Sequence, residues 1–127
     1  MMLFARSPRS ANHLYLEARS LWTKVVNLNI YDSEDMLASV ARLLQQARQQ
    51  NPRHIPSLVL LSDVLMALGA DGKALEVVDS LIALQPDNQT HTKKQILLHQ
   101  LQASPTDDNR EAVRDFVEAR WTQTNDW

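Results

Sequence analysis

The side chains best suited to hold a metal or move a proton are four histidines, His13, His54, His91 and His99. One ion bound on a helix needs ligands at i and i+4, each within about 2 Å of the metal. No two histidines have that spacing. His91 and His99 are separated by about 12 Å at about 1.5 Å per helical residue, too far for one ion to reach both. All four are expected in surface or capping roles. Asp107 and Asp108 form a carboxylate pair, but adjacent side chains diverge. Both stand where a helix is expected to begin, and a helix N-terminus favours acids. Capping is therefore their expected role. No serine lies in a nucleophile-elbow context. The absence of cysteine removes thiolate chemistry, disulfides and Cys-based zinc sites. No metal or cofactor is expected, and the chain is taken to be non-catalytic.

The elements that carry these residues follow from composition. The chain has 127 residues, which suits one domain. It holds 2 glycines, where average usage would supply about nine. Sandwiches and barrels with many tight turns are disfavoured, as are glycine-rich phosphate loops. Leu, Ala, Gln and Arg are prominent, and these favour helices. Lys and Arg number 13 against 15 Asp and Glu, for a net charge of −2. Arg6, Arg9, Arg19, Lys93 and Lys94 cluster only loosely among acids, so no nucleic-acid partner is expected. Met1–Ala5 is too short for a signal-peptide core, and no apolar run reaches membrane-spanning length. A soluble, cytoplasmic protein is expected.

Apolar residues at spacings of three and four predict six helices. The first covers 11–28 and carries Leu14, Ala18, Leu21, Trp22, Val25 and Leu28. The second runs from a cap at Asp32 or Ser33 to about Gln50, before Asn51-Pro52. The third, 56–68, is apolar on several sides. Gly69-Ala-Asp-Gly72 breaks it, with Asp71 as the expected cap of the fourth, 73–84. The fifth, 90–102, carries Ile96, Leu97 and Leu101. The sixth, 109–122, buries Val113, Phe116, Val117 and Trp121. Residues 1–10 are expected to be disordered and 123–127 frayed. The turn prolines Pro52 and Pro86 lie 34 residues apart, a period typical of stacked helix pairs.

Residues 55–88 resemble a tetratricopeptide repeat. Leu58, Leu61, Ser62, Leu65 and Gly69 fall on the family's first-helix pattern, and Ala74, Val78, Leu84 and Pro86 on its second-helix pattern. Small residues such as Ser62 and Ala74 let two helices approach closely. The flanking repeats, about 11–54 and 89–122, match less well. The first is about ten residues too long, and the third keeps Ile96, Ala112, Phe116 and Ala119. Residues 11–22 are similar to the opening repeat of bacterial regulators with such arrays. The resemblance implies an all-α, right-handed superhelical array of about three antiparallel helix pairs.

The resemblance further implies a concave groove lined by the first helix of each pair. Family positions that project into it fall on Tyr15, Arg19 and Trp22, on Val59, Asp63 and Met66, and on Lys93, Leu97 and Gln100. Trp22, Val59, Met66 and Leu97 would form an apolar floor. Arg19, Asp63 and Lys93 would set polarity. An acid at Asp63 speaks against capture of a chaperone's C-terminal carboxylate. The expected function is an adaptor or scaffold that binds a peptide or helix of another protein. The alternatives are a self-assembling module, with a homodimer or the chain's own N-terminal segment covering the floor, and a regulatory domain of a larger system. Phe116, Trp121 and Trp127 would mark one end face for self-assembly. A third alternative places a ligand site in the long first turn, Thr23 to Ser33, around Tyr31 and Asp32.

Overall fold

The computed structural model describes residues 9–122, so the expectations for residues 1–8, for the tail 123–127 and for Trp127 lie outside it. The described residues form six helices: α1 (Ala11–Leu28), α2 (Glu34–Gln50), α3 (Ile55–Leu68), α4 (Asp71–Leu84), α5 (Gln89–Ala103) and α6 (Asp107–Thr122). They pair as α1 with α2, α3 with α4 and α5 with α6, and each pair stacks on the one before.

The helix ends have local causes. The Ser10 hydroxyl accepts a hydrogen bond from the His13 backbone N–H and starts α1. The Asn88 side chain accepts from Thr90 and His91 N–H and starts α5. Thr106 Oγ1 accepts from Asn109 N–H at the start of α6. Asp107 and Asp108 therefore lie inside the first turn of α6 and are not its cap. Ser33 precedes α2 without a side-chain capping bond. α1 and α3 close with a left-handed residue, Asn29 at φ 53° and Gly69 at φ 77°. Gly72 is not in the turn. It is the second residue of α4, which begins at Asp71. Asp71 is not a cap either, because Ala70 holds that position and makes no side-chain bond.

The main core cluster runs through all six helices, and Ala11, Leu14 and Ala47 form a smaller one between α1 and α2. The small residues Ala18, Ser62 and Ala74 are completely buried at the helix crossings. Ser57 and Leu58, and then every residue from Leu60 to Ala67, are buried in α3. That explains why its sequence is apolar all round. Ile96 was expected inward but is 47% exposed, and Leu28 is 67% exposed. α5 instead turns His91, Lys94, Leu97, Leu98 and Leu101 to the interior.

The third pair departs from the stacking of the first two. α1 and α3 approach directly, as neighbouring inner helices do. α3 and α5 make no such backbone approach, and α6 takes that place against α3 and reaches α1 as well. Arg110, near the start of α6, meets Asp71 just beyond the end of α3. Arg120 and Trp121, at its other end, meet Asp63 in the middle of α3. α6 thus runs antiparallel to α3 across the inner face.

Candidate functional site

The inner face is built on α1 and α3. Trp22 in α1 has no exposed surface. Its ring meets Tyr31 edge-on at 5.8 Å. It meets Trp121 in the same manner, also at 5.8 Å. Edge-to-face pairs of this kind set a ring's positive edge against its neighbour's negative face. Tyr31 is itself buried, so the long first turn folds inward on its aromatic residue.

Beside the rings lies Asp63, an acid in an otherwise apolar stretch and wholly buried. Burying a charge requires partners, and Asp63 has them from two helices. Lys94 Nζ of α5 stands 2.8 Å from Oδ1, with both side chains fully buried. Trp121 Nε1 donates to Oδ2 at 3.0 Å. Arg120 Nη2 donates to the same oxygen at 3.3 Å. Lys94 also donates to Ser62 Oγ at 2.8 Å, and Ser62 donates to the Val59 carbonyl at 2.7 Å. Burial pushes the Lys94 ammonium below its ordinary pKa, and the adjacent Asp63 carboxylate opposes that shift.

His91 adjoins this group. It is buried, where a surface or capping role was expected. Its Nε2 is 2.7 Å from Gln85 Oε1, while Nδ1 has no hydrogen-bond partner. With an amide oxygen opposite, Nε2 is the donor of this pair. Burial lowers the His91 pKa, and the charges on Lys94 and Arg120 lower it further against a smaller opposite effect of Asp63.

A second clamp holds the other end of α6. Arg110 Nη1 and Nη2 donate to the two carboxylate oxygens of Asp71 at 2.9 and 2.8 Å. This two-point pairing raises the Arg110 pKa.

The nine groove positions therefore separate. Trp22, Asp63, Met66 and Leu97 are buried. Tyr15, Arg19 and Val59 are half-buried, and Lys93 and Gln100 are exposed. Tyr15 meets the His54 ring edge-on at 5.8 Å. α6 covers the groove positions Trp22 and Asp63, through Trp121 and Arg120. Within α5, Lys94 faces Asp63, and Lys93, which the resemblance puts in the groove, is exposed. Lys94, Arg120 and Trp121 were missed as members of the site. The signal that could have found them is Asp63 itself, since an acid in a helix apolar on all sides requires a cation.

Around the first turn, Asn29, Tyr31 and Asp32 line an open cleft of about 230 Å³ together with Arg114 and Glu118 of α6. It offers a mixed-charge wall at a helix boundary. Among the described residues, no three His, Asp or Glu side chains converge as metal ligands would. No helix among them is long and apolar enough to cross a membrane.

A family profile described as tetratricopeptide repeat matches residues 33–104, from the end of the first turn to the end of α5. No curated protein and no solved structure matches the chain. The profile covers more than half of the sequence and spans α2 to α5. The chain belongs to the tetratricopeptide repeat family, whose repeats generally mediate protein–protein interaction.

Proposed function

We propose that this chain is a non-catalytic adaptor that takes a helix of another protein along the inner face of α1 and α3. The observation that carries this reading is that the inner face already accommodates a helix. α6 lies against both inner helices and supplies the aromatic and cationic contacts to Trp22 and Asp63. A surface that packs one helix has the width and the apolar floor to pack another of similar pattern. Arg19, one turn before Trp22, and Val59, one turn before Asp63, are both half-buried and are the positions a partner would meet first. Alanine at Trp22 and Met66 would be a poor test, because both are core residues and the substitutions would unfold the chain. Photo-crosslinking side chains placed singly at Arg19, Val59 and, on the opposite surface, Gln45 test it better. The expected result in the native host is one and the same crosslinked protein from positions 19 and 59 and none from 45. Crosslinks only from position 45 would overturn the reading.

A further inference from the structure

The groups that hold Asp63 do so with unequal grip. Lys94 Nζ is 2.8 Å from Oδ1 and has no exposed side-chain surface. Trp121 Nε1 donates to Oδ2 at 3.0 Å. Arg120 donates to the same oxygen from Nε and Nη2 at 3.4 and 3.3 Å. Both contacts are long beside the usual N–H···O distance of about 2.9 Å. The Arg120 side chain is also 28% exposed, so of these two cations it is the one that water reaches.

His91 lies in the same interior, one turn before Lys94 on α5. Its Nε2 donates to Gln85 Oε1 at 2.7 Å, while the buried Nδ1 has no partner. The charged groups that act on the ring are Lys94 on its own helix, Arg120 on α6 and Asp63 on α3. Two cations thus share one acid beside a ring that can become a third. A proton on Nδ1 adds a charge and an N–H with no acceptor in place, both unfavourable where water is excluded. The repulsion is relieved when one cation leaves. Lys94 is enclosed, and Asp63 would lose its nearest counter-charge with it. Arg120 passes directly into water, and Trp121 still donates to Oδ2 in its absence.

We infer that the Asp63 group is an acid-sensitive latch: when His91 takes up a proton, the Arg120 guanidinium swings from Asp63 to solvent. α6 itself stays docked, because Val113 and Val117 remain packed and Arg110 keeps its two-point contact with Asp71. The released guanidinium adds a positive charge to the inner face close to Val59, which lies one turn before Asp63. This device is a property of the inner face and stands whether or not a partner binds there. The coupling is reciprocal, so a docked Arg120 also makes His91 harder to protonate.

Nuclear magnetic resonance on the full chain tests both directions. The His91 ring and the Arg120 Nε–H are followed as the pH is lowered from neutral, with circular dichroism reporting the helices. The Arg120 signal should move to the position of a solvated arginine with the same midpoint as His91, while the helices persist. In His91→Gln it should stay where it is over the same range. In Arg120→Gln the His91 midpoint should rise by about half a pH unit or more. An Arg120 signal that stays still while His91 titrates would overturn the inference. The same movement in His91→Gln would overturn it too, and assign the effect to protonation of Asp63. Helices that melt before or together with the His91 titration would show unfolding in place of a latch. If His91→Gln does not fold, the Arg120→Gln arm decides alone, and an unchanged His91 midpoint there sinks the coupling.

Discussion

Asp63 meets two cations and an indole in a place that water does not reach, and its removal exposes how much each depends on it. Asp63→Asn keeps the volume but leaves Lys94 buried with no counter-charge. Breaking one partner of a buried ion pair costs about 3–5 kcal/mol, whereas replacing both by apolar residues is often near neutral. Urea unfolding should therefore show a loss of about that size for Asp63→Asn. The combination of Asp63→Leu with Lys94→Met should recover at least half of it. No recovery would mean that Arg120 and Trp121, and not the ion pair, set the stability there. His91 adds a pH dependence whose sign is fixed by its lowered pKa. The unfolded chain, with an imidazole near its ordinary 6.5, binds the proton more readily than the fold does. This contribution is complete above about pH 6.5 and is lost as the pH falls through 6.5 towards the lowered folded value. Thermal melting at pH 7 and pH 5 should show the drop, and His91→Gln should flatten it. Parallel profiles for the two proteins would show that another group is responsible.

At the scale of elements, the two glycines separate by conformation. Gly69 ends α3 at φ 77°, and a Cβ there would also lie 3.3 Å from Arg110 Nη1. Gly72 lies inside α4 with nothing within 4 Å of its would-be Cβ. Gly69→Ala should destabilise by about 1–2 kcal/mol, and Gly72→Ala should stabilise by about 0.4–1 kcal/mol. Melting temperatures moving in the same direction for both would contradict this assignment. The helices themselves were legible in the sequence because apolar period, turn prolines and Gly69 all act within a few residues. Helix ends fell within about two residues of those expected. The inward register of α5 was not legible. Ile96 looks like a core residue and Lys94 like a surface one until Asp63, 31 positions earlier, is placed opposite Lys94. Likewise the period of α6 announces that it buries Val113 and Val117, but a period does not name the surface it buries them against.

At the scale of the whole molecule, α6 turns an open array into a closed one, and the interior depends on its last described helix. A chain ending at Ser104 would uncover Trp22, which Trp121 covers, and a buried apolar side chain of that size is worth roughly 1.5–3 kcal/mol. Such a chain should melt at lower temperature and bind a hydrophobic dye that the full chain excludes. Unchanged melting without dye binding would show that α6 adds nothing to the core. The closure also has a consequence for biosynthesis. Asp63 and its α6 partners Arg120 and Trp121 are separated by 57 and 58 positions. A ribosome adding about 5–20 residues per second needs roughly 3–11 seconds to cross that interval. Throughout it, α3 has emerged before the helix that covers it. In those seconds the nascent chain presents an apolar helix to whatever chaperone or partner is nearby. The encounter that decides what lies on α3 can therefore begin before the chain has left the ribosome.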